Sequence, residues 1–123
     1  ISMGVPDKLM PEVIRSKTET TPPTINDAAT AQRLRTAFAQ NFGEDILYEE
    51  PREGMGAEDF AYFVTPETGV KGVYFSVGGT PLKEVDSAPS HHSPFFKIDP
   101  EPSVKVGTEA MVVGAMTLFN GED

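Results

Sequence analysis

The segment His91-His92-Ser93-Pro94-Phe95-Phe96 carries the residue types most suited to chemistry. Its two imidazoles are the only ones among 123 residues. Imidazole is the commonest metal ligand, and it ligates well only when its ring is held in one orientation. Pro94 stiffens the backbone just after the pair. Phe95 and Phe96 can anchor the loop against the body of the protein. Two adjacent histidines still do not close a metal site, because enzymatic zinc centres take about three protein ligands. A solvent-exposed pair, or a ring satisfied by a backbone carbonyl, is the simpler reading of these residues alone.

Three further stretches could surround a ligand. In Gly54-Met55-Gly56-Ala57-Glu58-Asp59-Phe60, small residues precede an expected helix N-terminus, whose open N–H groups suit a carboxylate or an amide oxygen. Glu58 or Asp59 could orient a histidine or a metal ligand, or serve only as acidic residues at a helix start. Val77-Gly78-Gly79-Thr80-Pro81 follows an apolar segment. There it is either a ligand-side loop at a strand's carboxyl end or a plain glycine turn. Thr21-Pro22-Pro23-Thr24-Ile25-Asn26-Asp27 reads as a connector in which Asn26 or Asp27 caps a helix, with a substrate-side loop as the alternative. The chain contains no H-E-x-x-H, no phosphate-binding G-x-x-x-x-G-K-[ST] and no G-x-S-x-G. No nucleophile elbow surrounds Ser76 or Ser90.

These residues need elements to hold them. Residues 12–21 are rich in threonine and β-branched side chains and read as an exposed strand ended by Pro22-Pro23. Ala31, Leu34, Phe38 and Phe42 recur at intervals of three and four, which predicts a helix from Ala28 to Phe42 stopped by Gly43. A short strand is expected over 45–50 and a short helix from Glu58 to Val64. The nearly continuous apolar run 72–77 suits a strand buried on both faces. A long connection over 80–99 leads to a last helix from Pro102 to Phe119, with Gly107, Met111, Gly114 and Leu118 on one stripe. The alternation of strands and helices predicts an α/β class, a partial mixed sheet with packed helices.

Composition narrows the function classes. Nineteen acidic residues against ten basic ones give a net charge of -9. Such a chain repels phosphates, so neither a nucleic acid nor an anionic membrane is the expected partner. There is no cysteine, hence no disulfide framework and no cysteine nucleophile in the chain. No apolar run reaches the 18 or more residues of a spanning helix, and no leader is evident, so a cytoplasmic protein is expected. A compact chain of this length should bury roughly two-thirds of its unfolded surface. The chain opens on Ile1, and its first residues read as the continuation of a longer polypeptide.

Taken in order, Pro22–Asp27, Gly54–Phe63, Gly72–Pro81, Pro89–Asp99 and the helix containing Gly107 resemble the C-terminal part of a metal-dependent amidohydrolase. The relatives are the aminoacylase and carboxypeptidase-type metallopeptidases, in particular the hippurate hydrolase and indole-acetyl-amino-acid hydrolase branch. The resemblance implies that residues 1–23 are the end of an inserted lid domain, including its last strand, through which the full-length protein forms a homo-oligomer. Residues 24–123 would be the C-terminal part of the catalytic domain. It also implies two divalent metal ions, zinc or manganese, that activate a water to cleave the amide of an N-acyl amino acid. His92, followed by Ser93 and Pro94, matches the family's final metal ligand, whereas His91 matches none. Gly56 and Ala57 would lie near the substrate, and Asn26 is a weaker substrate contact. The other ligands and the glutamate base belong to sequence not found here. No catalytic residue is therefore expected in this chain, which alone should be inactive. A non-catalytic α/β binding or regulatory module that kept the family shape is the alternative.

Overall fold

A computed structural model describes residues 4–17, 20–49, 56 and 58–121. Its two long elements are helices, α1 (Ala28–Phe42) and α2 (Pro100–Phe119), which pack against each other. Short 3-10 turns occupy Asp7–Leu9, Glu44–Ile46, Asp59–Phe63, Pro66–Thr68 and Leu82–Glu84.

Helix α1 runs over the residues its apolar spacing predicts. Asp27 is the cap, and its carboxylate accepts from the Thr30 N–H at 2.9 Å and from Thr30 Oγ1 at 2.7 Å. These two bonds, aided by the positive charge of Lys71, hold the Asp27 pKa below the ordinary aspartate value near 3.8. A depressed carboxylate pKa stabilises the fold above the unfolded pKa, and the effect fades as pH falls through the folded value. The gap in urea midpoint between the native chain and Asp27→Ala should therefore be full at about pH 6 and narrow below the ordinary aspartate pKa. A gap that stays constant across that range would remove the cap's electrostatic role.

Gly43 ends α1 with φ 96° and ψ 156°, a conformation open almost only to glycine. A Cβ there would also stand 2.8 Å from Asp45 Oδ1. Gly43→Ala should cost about 1–3 kcal/mol. Thermal unfolding measures this, and an unchanged midpoint would show that the chain can leave α1 by another path.

The expected α/β class with a partial mixed sheet is not what the structure contains: among the described residues there is no β-strand. Residues 12–17 are exposed and carry no secondary structure, and Thr18 and Glu19 lie outside the described residues. After Gly43 the backbone tightens into the Glu44–Ile46 turn rather than extending, and Glu50 is outside the description. The 72–77 segment pairs with no other strand among the described residues. The physical reason is that a strand is a pairing, not a composition. Its N–H and C=O groups need a neighbouring chain in register, and an apolar run specifies burial without specifying that neighbour.

The segment 72–79 nevertheless acts as the post on which the rest is mounted. Phe75 meets Phe38 of α1 edge-on, with centroids 5.4 Å apart. Tyr74 lies against Phe60 at 5.7 Å. A Cβ added to Gly72 would collide with Val64 and approach Phe60 to 3.1 Å. Val77 faces Gly107 of α2, where a Cβ would make ordinary contact at 3.6 Å. The Gly79 carbonyl accepts the Asp99 N–H at 2.8 Å.

The stripe expected along α2 is divided. Gly114 is buried facing Leu34 and Gly107 faces Val77, whereas Met111 and Leu118 are exposed. The buried apolar residues among those described are Leu34, Ala37, Ala61 and Ala110. The core is correspondingly thin. The chain exposes 10800 Å², where a compact monomer of 13.3 kDa exposes about 6,500 Å². It buries about 44% of its extended-chain surface rather than the expected two-thirds.

Candidate functional site

The two histidines sit at the centre of a tight turn. The Ser93 N–H donates to the Ser90 carbonyl at 2.9 Å, which places His91 and His92 at the two central positions. A second turn follows at once. The Phe96 N–H reaches the Ser93 carbonyl at 3.0 Å, and the Phe95 N–H reaches Ser93 Oγ at 3.1 Å. Ser93 thus joins the two turns and fixes the backbone on the far side of His92. Both imidazoles are exposed, with centroids 4.4 Å apart. His92 is not packed as filler.

The stretches flanking this turn line an open cleft of about 660 Å³. Ser87 and Pro89 contribute from before the turn, Phe95 and Lys97 from after it, and Thr80 and Lys83 from across the cleft. Lys83 pairs with Glu84 at 3.4 Å on the exposed surface. The cleft offers an apolar wall from Pro81, Pro89, Phe95 and Ile98, and its charged lining is balanced, Lys83 and Lys97 against Glu84 and Asp99. Thr80 and Pro81 of this lining belong to the Val77–Pro81 stretch that the sequence offers either as a ligand-side loop or as a plain turn. The lysines had no signal there, because isolated lysines on an acidic chain read as solvated surface.

The other expected site residues are distributed differently. Gly56 is exposed, and Ala57 lies outside the described residues. The helix expected from Glu58 to Val64 is a 3-10 turn over Asp59–Phe63, and no side chain caps it. Asn26 is exposed, and both ends of its carboxamide engage the Tyr74 backbone. Among the described residues, no hydrogen bond, ion pair or ring contact joins His92 to Asn26 or Gly56.

Comparison with known families gives a match over residues 12–115 to the peptidase family M20/M25/M40. The chain belongs to this peptidase family. The match takes in the histidine turn, the 72–79 post, both helices through residue 115, and the connector before α1. No curated protein and no solved structure matches the chain.

Membership supports a metallopeptidase-type hydrolase, a class that works with divalent metal ions. The residues present do not by themselves fit such a centre. Among those described, no group of three or more His, Cys, Asp or Glu side chains could hold a metal ion. One exposed imidazole on a stiff turn can offer one ligand. No described helix is long and apolar enough to cross a membrane.

Proposed function

We propose that this chain is a portion of a metal-dependent hydrolase that cleaves the amide bond of N-acyl amino acids or related peptide-like amides. The observation that carries the reading is the family match over residues 12–115, which spans the His92-Ser93-Pro94 turn. In this reading His92 supplies one ligand to a two-ion centre of zinc or manganese. The remaining ligands and the general base come from polypeptide beyond these 123 residues. Gly56 and Ala57 lie beside the substrate. The hippurate hydrolase and indole-acetyl-amino-acid hydrolase branch gives the substrate class. Residues 1–23 belong to a lid domain that joins two copies, and the enzyme works in the cytoplasm.

The chain's own contribution is positional. The paired turns at Ser90–Ser93 and Ser93–Phe96 present the His92 ring on a short, braced backbone. The cleft beside them presents Phe95 and Ile98 to an apolar acyl group, and Lys97 is the lysine of its lining that has no carboxylate partner among the described residues.

The test is turnover of N-acyl amino acids by two preparations, this chain alone and the complete enzyme, each with added manganese or zinc. The complete enzyme should hydrolyse the amide and stop when the metal is chelated. The isolated chain should show no turnover. Metal-dependent turnover by the isolated chain would overturn the division of ligands, and metal-independent turnover by the complete enzyme would overturn the reaction class.

A second reading is a non-catalytic binding module within the same family. It takes the same match over residues 12–115 as a family shape kept without the chemistry. A complete protein that binds N-acyl amino acids and leaves them intact in the presence of either metal would support it.

A further inference from the structure

Asn26 forms an unusual pair of contacts. Its Oδ1 accepts the Tyr74 N–H at 2.8 Å, and its Nδ2 donates to the Tyr74 carbonyl at 2.8 Å. A primary carboxamide carries one acceptor and one donor face, the same complement as a peptide group in a neighbouring strand. The next residue continues the contact, because the Asp27 N–H donates to the Gly72 carbonyl at 3.0 Å. Residues 26 and 27 therefore meet 72 and 74 as two rungs of a ladder, one of them made by a side chain. Each polar atom of the Asn26 carboxamide engages Tyr74, which fixes the plane of the group and leaves one N–H and one lone pair over.

We infer that Asn26 is a positioning residue, a one-residue surrogate strand that sets the register of the 72–79 post against α1, rather than a contact to substrate. The consequence reaches the histidine turn through bonds already described. Asn26 fixes Tyr74, and Asp27 fixes Gly72 while capping α1. Five residues beyond Tyr74, the Gly79 carbonyl holds the Asp99 N–H on the far side of the His91-His92 loop. At Gly79 the backbone runs so close to Ile98 that a Cβ would lie 2.8 Å from its Cγ2. A slip of the post would carry Gly79, and with it the base of that loop. The link to catalysis rests on the hydrolase reading above, but the link to register does not.

The experiment is hydrogen–deuterium exchange on the full chain, following the Tyr74 amide with the α1 and α2 amides as reference. Asn26→Ala removes both contacts and should speed exchange at Tyr74 by about tenfold while the helix amides hold. Unchanged exchange at Tyr74 overturns the inference. If Asn26→Ala loses protection everywhere, Asn26→Asp decides. It keeps the acceptor for the Tyr74 N–H, so Tyr74 should stay slower than in Asn26→Ala, and equal rates overturn the inference. Protonation gives a rescue. Below the ordinary aspartate pKa of about 3.9, the new carboxyl again has one donor and one acceptor, so Tyr74 protection in Asn26→Asp should rise relative to Asn26→Ala. In the complete enzyme, Asn26→Ala should lower kcat with KM nearly unchanged. A rise in KM alone would restore Asn26 as a substrate contact. Exchange needs no turnover, so its failure is distinguishable from failure of the hydrolase reading.

Discussion

With His92 as the proposed metal ligand, His92→Ala should lower divalent-metal affinity of the complete enzyme by about a hundredfold or more, and turnover with it. The scale follows from the effect of residues that merely orient a metal ligand, whose loss already costs about 10–100-fold. Removal of the ligand itself lies at or beyond that range. His91→Ala is the control. The two rings are adjacent and both exposed, so a general effect of altering the turn would appear in both variants. A specific ligand role appears only at residue 92. Competition titration with a chelator reads the affinity directly. Equal losses in the two variants, or none in His92→Ala, would remove His92 from the metal centre.

Leu34→Ala should destabilise the fold by about 2–5 kcal/mol. Leu34 is 5% exposed, and the other buried apolar residues among those described are alanines. It stands where α1 and α2 meet, its Cδ2 3.7 Å from the position a Gly114 Cβ would take. Truncation leaves a void where α1 meets α2, beside Phe38, whose Cζ lies 4.0 Å from the same Gly114 position. The stability of a whole domain is only about 5–15 kcal/mol, so a loss of this size removes a large share of it. Urea unfolding followed by helical circular dichroism measures the change. A loss under about 1 kcal/mol would mean that Phe38 and Phe75 carry the helix contact instead.

Helix α1 was legible because every local signal agreed. The three-and-four spacing of Ala31, Leu34, Phe38 and Phe42, the Asp27 cap and the Gly43 stop are all decided within one or two turns of chain. Helix α2 begins at Pro100 rather than Pro102. Both prolines fall in its first turn, where an N–H has no helical partner to lose. The misread segments share the opposite property. Residues 72–77 carry apolar side chains whose spacing is consistent with a strand, but pairing depends on residues far along the chain. The partner Tyr74 does find is 48 positions away, and it is a side chain.

The candidate site divides along the same line. In the sequence the histidine segment is marked by Pro94 and the two phenylalanines, while the paired turns that hold it lie inside what reads only as a long connection over 80–99. The Asn26 contact was hidden, because asparagine before a helix is so often a cap that nothing local suggested a distant backbone as its partner. Lys97 and the cleft were equally unreadable, since a lysine's cavity exists only once the loops on either side of it have closed.

The large exposed area has a thermodynamic signature. Heat capacity of unfolding and denaturant sensitivity both scale with the surface newly wetted when a chain opens. This chain wets about two-thirds as much as a compact one of equal mass. Its calorimetric peak should therefore be broad and shallow, and its stability curve unusually flat with temperature.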